Sequence, residues 1–189
     1  MTKSVFFIVL ISLYLAAETS AKAQDIKYEI DYMIVDTSVD KNKFQPNAAQ
    51  LKYILPYSED FDFEGILGFG VGQETAHYKY QLATEYTVHF RFTNFAGVYL
   101  KAHAKLDPMV LAFAHLGIAR MEYNFSSSLP QYKPDGTVSQ MGLAYGFGLS
   151  LNILEQGAFV LIYDQFPSVK SDNVKIRSSA LSIGYQSTF

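Results

Sequence analysis

The chain has 189 residues, enough for one domain, and it is 49% hydrophobic and only 17% charged, which excludes an intrinsically disordered polymer. Its formal net charge of −3 has the wrong sign and is too small for a nucleic-acid-binding protein. It has no cysteine, so a disulfide scaffold, a thiolate metal site and a lipid-modified N-terminal cysteine are also excluded.

The first 23 residues predict a cleavable export signal. Lys3 supplies a positive charge, and residues 5–17 form an apolar stretch that is too short to span a membrane comfortably. Ala21 and Ala23 then give the small-x-small pattern that signal peptidase cuts. The alternative is an uncleaved anchor helix. We therefore predict a signal peptide over residues 1–23 and one exported domain over residues 24–189.

Beyond residue 24, a two-residue period dominates the chain, and no run reaches the roughly 18 apolar residues of a membrane helix. In residues 141–153, one row of the alternation is large and apolar, while the other row is glycine, alanine or small and polar. A soluble sheet would carry lysine, glutamate and threonine on its solvent face. Tiny side chains instead suit the crowded interior of a narrow barrel whose large side chains face lipid.

The alternation predicts eight strands, with short turns at one end and longer polar loops at the other. This asymmetry is typical of a transmembrane β-barrel, and closure leaves no unpaired strand edge in lipid. The predicted class is all-β, an eight-stranded antiparallel up-and-down transmembrane barrel. The predicted strands are 27–37, 47–57, 60–72, 88–104, 109–125, 138–153, 157–166 and 175–189.

One segment leaves two interpretations open. Residues 107–122 begin with Asp-Pro and are rich in alanine and leucine, so a helix is the alternative to a strand. If the segment is a strand, its alternation slips around Leu116 and Ile118, which would require a bulge or an apolar spot inside the barrel.

The charged residues of the strands fall mainly on the row that we assign to the lumen. A charge on the lipid face costs about 2–4 kcal/mol near the bilayer midplane, so an inward position is expected. Asp62 and Glu64 should oppose Lys101 and His103 on the neighbouring strand. We expect the network to fill and rigidify the lumen; the alternative is an ion or proton path. The predicted network comprises Glu29, Asp31, Lys52, Asp62, Glu64, His89, Arg91, Lys101, His103, Arg120 and Glu122.

Aromatic residues cluster toward the predicted strand ends, where Tyr and Phe would form two interfacial girdles in a chain without Trp. Ordinary β-propensity is the alternative explanation. The predicted girdle residues are Tyr28, Tyr32, Tyr53, Tyr57, Phe61, Phe63, Tyr123, Phe125, Tyr185 and Phe189.

The chain resembles the small outer-membrane β-barrel family of the OmpA-barrel, OmpX and opacity-protein type. The resemblance is carried by AKA at 21–23, LAFAHLGIARMEYNF at 111–125, GLAYGFGLSLNI at 142–153 and LSIGYQSTF at 181–189. It implies a location in the outer membrane of a Gram-negative bacterium. It also implies that the terminal aromatic strand, with Tyr185 and Phe189, is the signal read by the barrel-assembly machinery.

No catalytic or metal-binding spacing stands out, so we predict neither an enzyme nor a cofactor or metal site. The expected role is structural or surface-interactive, through outer-membrane lipids and lipopolysaccharide and through the loops at 73–87 and 126–137. A narrow channel is the alternative. A soluble lipocalin-like binder, and a lipid A acyltransferase using His77 and the serines at 126–128, are weaker alternatives.

Overall fold

The computed structural model is a closed antiparallel β-barrel. It describes residues 26–39, 42–72, 74–80, 84–127, 136–154, 157–171 and 174–188. Across these ranges, no helix is long and apolar enough to cross a membrane.

Eight strands form the barrel wall, which confirms the predicted fold class. Each strand pairs antiparallel with its neighbour, and the last strand pairs with the first to close the barrel. The wall strands are β1 Lys27–Val39, β3 Asn47–Pro56, β4 Phe61–Val71, β6 Thr84–Lys105, β7 Val110–Ser127, β8 Gly136–Leu154, β9 Gly157–Gln165 and β11 Val174–Thr188.

The two ends of the barrel differ, as the sequence predicted. At one end, here called the turn end, Lys27 pairs with Thr188 and the connections at 57–60, 106–109 and 155–156 are short. At the other, the loop end, three short strands extend the wall: β2 Asn42–Phe44 on β1, β5 Glu74–Tyr80 on β6, and β10 Val169–Ser171 on β11.

Residues 110–127 form a strand, so the helical alternative for this segment is wrong. The register with β8 runs without a shift from Val110–Leu151 to Phe125–Gly136. The predicted slip is also wrong, because Leu116 and Ile118 both lie on the outer surface of a regular strand.

The turn-end half of the barrel has an apolar exterior. On β8, Leu143 and Phe147 are 62% and 59% exposed, whereas Ala144 and Ser150 on the other face are buried. Similar side chains on β1, β4, β9 and β11 continue this surface around the barrel, including Ile30, Leu67, Leu161 and Ile183. An exposed apolar band on a closed barrel is the surface that a bilayer covers.

Inside and outside exchange polarity toward the loop end. There the lumen is apolar: Phe90, Phe92 and Tyr123 are fully buried. The outer face of β6 and β7 is polar there, with Arg91 exposed and Arg120 and Glu122 partly exposed. This is the arrangement of a soluble β-barrel, so the loop-end segments of these strands are suited to water rather than lipid.

A one-residue bulge in β6 accompanies this exchange. Phe92 pairs with Tyr123 and Asn94 pairs with Glu122, so Thr93 has no counterpart on β7. Phe92 and Phe95 are both buried although their numbers differ in parity. The bulge therefore moves the inward row of β6 from odd numbers on the turn side to even numbers on the loop side.

Candidate functional site

The turn-end half of the lumen contains a cluster of buried charges, and its first part lies on β1 and β3. Glu29 and Asp31 are two residues apart on the inward row of β1, and Lys52 lies opposite Glu29 on β3. The Lys52 ammonium lies 2.6 Å from Glu29 Oε1 and 3.3 Å from Asp31 Oδ2. Gln50 donates from Nε2 to Asp31 Oδ2 at 2.6 Å. The Lys52 ammonium is therefore shared by two carboxylates, and none of these three side chains contacts solvent.

The second part of the cluster is centred on His115 of β7. Its Nδ1 lies 2.9 Å from Glu64 Oε2 and its Nε2 lies 2.6 Å from Asp164 Oδ1. Since ionised carboxylates only accept hydrogen bonds, both contacts are satisfied when both ring nitrogens carry hydrogen. Lys101 adds an ion pair with Glu64 at 3.0 Å and lies 4.1 Å from the centre of the Phe113 ring. Two cations and two anions thus face one another in this part.

Glycines make room for these charged side chains. A Cβ on Gly146 would collide with His115 Nε2 and Asp164 Oδ1, and a Cβ on Gly184 would collide with Asp31 Oδ1. The small inward row therefore does more than relieve crowding. At Gly146 it lets His115 of β7 and Asp164 of β9 meet over the strand between them, and at Gly184 it lets Asp31 lie against the neighbouring strand β11.

A more exposed pair closes the cluster at the turn end. His103 Nδ1 lies 3.6 Å from Asp62 Oδ2, and its Nε2 lies 2.6 Å from the backbone oxygen of Glu59. The structure thus brings Asp62 and Glu64 of β4 beside Lys101 and His103 of β6, through the register in which Asp62 pairs with Lys101.

The loop-end half of the lumen is filled by aromatic and aliphatic side chains. Phe90 stacks on Phe44 and Tyr123, with ring centres 4.9 and 5.4 Å apart. Tyr123 also hydrogen-bonds Ser178 Oγ at 2.6 Å, and Thr37 reaches the same hydroxyl at 3.0 Å. We call this set the aromatic plug; it comprises Met33, Val35, Phe44, Phe90, Phe92, Phe95, Met121, Tyr123, Phe166, Val169 and Ile176.

Four residues predicted for the lumen lie elsewhere. Arg91 is exposed and His89 is partly exposed on the same outer face, because the bulge at Thr93 reverses the parity of β6. Arg120 and Glu122 lie on the outer face of β7, where they form a 3.5 Å ion pair. For Arg120 and Glu122, the prediction was wrong because it treated the exterior as lipid along the full strand length.

The remaining predicted lumen residues are buried or partly buried on the inward rows, and the structure adds three that the sequence analysis missed. His115 could have been found as a polar residue on the odd row of β7 between Phe113 and Gly117. Gln50 and Asp164 gave weaker signals, because β3 and β9 carry apolar residues on both rows. The seven found are Glu29, Asp31, Lys52, Asp62, Glu64, Lys101 and His103.

The girdle prediction holds in part. At the turn end, Tyr28 and Tyr53 pack edge to face at 5.5 Å, as do Tyr57 and Phe63 at 5.3 Å. Tyr185 packs against Phe159 at 5.6 Å. Tyr123 is instead part of the aromatic plug, so its assignment to a girdle was wrong.

Several predicted features fall outside the described residues. These are the cleavage residues Ala21 and Ala23, the terminal Phe189, and most of the loop at 126–137. The side chains of His77 and Phe125 are likewise not described. Signal cleavage and recognition by the assembly machinery therefore stay predictions.

The chemistry of the lumen is that of a filled, ion-paired interior. In the described part of the chain, no group of three or more His, Cys, Asp or Glu side chains is arranged to hold a metal ion. A buried charge that loses its partner costs several kcal/mol, so the inward acids and bases depend on one another.

Comparison with solved structures identifies the same fold in known barrels. The chain is similar to OprG of Pseudomonas aeruginosa, with a TM-score of 0.58, 12% identity, and coverage of 89% of this chain and 97% of that one. It is also similar to Neisserial surface protein A, with a TM-score of 0.56, 15% identity, and coverage of 87% and 97%. For Ail of Yersinia pestis, the TM-score is 0.54 and the sequence identity is 21%, with coverage of 86% of this chain and 97% of that one. No protein-family model and no curated protein matches the chain. The fold is therefore that of the small eight-stranded outer-membrane β-barrels.

Proposed function

We propose that this protein is an integral barrel of the bacterial outer membrane with a structural or surface-interaction role and no catalytic activity. The observation that carries the proposal is the two-layer filling of the lumen inside an apolar outer band. The charge cluster occupies the turn-end half and the aromatic plug occupies the loop-end half.

The filled lumen favours this role over a channel. Ring centres in the plug lie 4.9 to 5.9 Å apart, in stacked, tilted and edge-to-face pairs, which is ordinary packing distance in a protein interior. Ions would have to displace both the plug and the ion pairs beneath it. An eight-stranded barrel is in general narrow enough to be filled by its own side chains.

Planar-bilayer recording tests this role. The folded chain is expected to give no discrete conductance steps in a bilayer where a porin from the same preparation gives them. Reproducible unitary steps would replace the structural role with the channel alternative.

Membrane insertion is tested separately by fractionation. The apolar outer band predicts a protein that stays in the outer-membrane fraction after carbonate washing. The folded barrel should also migrate differently in SDS gels before and after boiling. A protein that is washed off and migrates identically in both states would contradict the proposal.

The outer surface at the loop end supports contact with anionic headgroups. Among the residues whose side chains the structure describes, basic ones outnumber acidic ones there, and they lie beyond the apolar band. Phosphates of lipopolysaccharide would lie at this level if the loop end faces outward. The basic residues with described side chains are Lys43, Arg91, Arg120, Lys170, Lys175 and Arg177, and the acidic ones are Asp36 and Glu122.

The same surface suits soluble anionic ligands. Ail, which shares the fold, has a structure in complex with the heparin analogue sucrose octasulfate.

We propose that replacing Lys175 and Arg177 with Ser weakens binding to lipopolysaccharide-containing vesicles, whereas replacing Lys105 at the turn end leaves it unchanged. Equal effects from both ends would indicate nonspecific charge attraction and contradict the surface role.

A further inference from the structure

Four buried side-chain oxygens in one region of the lumen have no hydrogen-bond partner. They are Glu29 Oε2, Asp31 Oδ1, Gln50 Oε1 and Ser182 Oγ. All four residues are at most 2% exposed. Buried polar atoms are nearly always satisfied in folded proteins, so a group of four requires an explanation.

The register brings these residues to adjacent inward positions on three neighbouring strands. Asp31 of β1 lies opposite Gln50 of β3 on one side and opposite Gly184 of β11 on the other. Ser182 is the next inward residue on β11 after Gly184. Because Gly184 has no side chain, Asp31 Oδ1 lies directly against β11, on the side away from Lys52.

Charge is unbalanced at the same place. Lys52 is the ammonium shared by Glu29 and Asp31, and it contacts Oε1 of one and Oδ2 of the other. The unpartnered oxygens are the opposite ones of the same two carboxylates. The His115 part of the cluster, by contrast, matches two carboxylates with Lys101 and a doubly hydrogen-bonded imidazole. One negative charge is therefore left uncompensated between β11, β1 and β3.

We propose that this part of the lumen binds one small monovalent cation, such as Na⁺, through Glu29, Asp31, Gln50 and Ser182. Carboxylate, amide and hydroxyl oxygens are the ligands that hard cations take in proteins. A single cation satisfies several acceptors at once and removes the excess charge. A proton on one carboxylate would provide one donor and leave the amide oxygen unpaired. A divalent ion would leave an excess positive charge.

Thermal unfolding of the full chain, folded in non-ionic detergent and followed by gel migration, tests the site. At equal ionic strength, NaCl is expected to raise the unfolding temperature above that in choline chloride by about 3 °C or more, as ligand binding to the folded state does. Asp31→Asn and Ser182→Ala should abolish or reduce this difference. The matched control is Asp164→Asn, which removes the same charge from the other part of the cluster and should keep the response to Na⁺.

Two results would overturn the proposal. One is an unfolding temperature that is equal in NaCl and choline chloride; a protonated-carboxyl infrared band that Asp31→Asn removes would then assign the charge compensation to a proton. The other is a response to Na⁺ that Asp164→Asn removes as completely as Asp31→Asn does, which would indicate general charge screening. If Asp31→Asn fails to fold, Ser182→Ala and ²³Na relaxation on the unmodified chain decide the question.

Discussion

At the scale of single residues, His115 is the side chain on which the larger part of the charge cluster depends. It lies between Glu64 and Asp164, which come from strands on either side of the lumen, and it contacts both at hydrogen-bond distance. Its ring also packs against Tyr99, with ring centres 4.9 Å apart. Removing it leaves two buried carboxylates without a shared donor.

We expect His115→Ala to lower the free energy of unfolding by about 3–5 kcal/mol, the loss typical of breaking a buried ion pair from one side. Urea titration, with the folded fraction measured by gel migration, gives the value. His103→Ala is the control: its side chain is 19% exposed and lies 3.6 Å from Asp62. That change is expected to cost about 1 kcal/mol. Equal losses of unfolding free energy in His115→Ala and His103→Ala would contradict the larger role assigned to His115.

Gly146 is a second residue with a specific requirement. Its missing side chain leaves the space in which His115 and Asp164 meet. Gly146→Ala is expected to cost about 1–3 kcal/mol, the usual cost of overpacking a tight interior. Gly65→Ala is the matched control, since the nearest atom to its Cβ would be a backbone oxygen of Tyr53 at 4.0 Å. The same urea titration compares the two, and a tolerated Gly146→Ala would show that the site can relax.

At the scale of elements, the bulge in β6 explains why the inward row changes parity. Thr93 is the extra residue, and its neighbours Phe92 and Asn94 pair with consecutive residues of β7. Deleting Thr93 would make the strand regular while leaving Phe90, Phe92 and Phe95 on the inward side. Ala96 lies in the regular part of β6. Deleting it would instead turn the side chains on one side of the deletion to the opposite face of the strand.

We therefore expect the chain lacking Thr93 to fold into a heat-modifiable barrel, with an unfolding free energy within about 2 kcal/mol of the unmodified chain. The chain lacking Ala96 should fail to give the folded gel band. Folding of both chains, or of neither, would show that the register is not fixed by this alternation.

The sequence predicted the strands of this sheet well, because a two-residue period is a local property. The eight predicted strands agree with the wall strands to within a few residues at their ends. It failed at Arg91, because one extra residue in β6 changes the face of every position on the loop side. No local signal distinguishes Thr93 from an ordinary strand threonine.

At the scale of the whole molecule, the barrel is a lipid-facing structure at one end and resembles a water-soluble β-barrel at the other. Leu149 of β8 lies within the apolar band and pairs with Ala112 and Leu161. Met141 of the same strand pairs with Arg120, at the level where the exterior becomes polar. Both side chains are nearly half exposed, so they differ mainly in position along the barrel.

This difference predicts a depth-dependent cost of charge. In phospholipid vesicles, Leu149→Arg is expected to lower the unfolding free energy by about 2–4 kcal/mol, whereas Met141→Arg should cost about 1 kcal/mol or less. Equal costs would mean that the bilayer covers both positions or neither.

The sequence by itself determined the strand count, the asymmetry of the two ends, the lipid-facing rows of β8 and β11, and the inward position of Glu29, Asp31, Lys52, Glu64 and Lys101. These features follow from alternation and from the high cost of charge in lipid, both of which can be evaluated strand by strand.

Only the tertiary structure decided which charges meet and where the exterior stops being lipid. The contacts of His115 with Glu64 and Asp164 join residues about fifty positions apart, through the closure and stagger of the barrel. The aromatic plug likewise depends on where each strand leaves the apolar layer, because beyond that level water outside favours polar residues there and apolar residues within. That level is a property of the assembled barrel, and no single strand defines it.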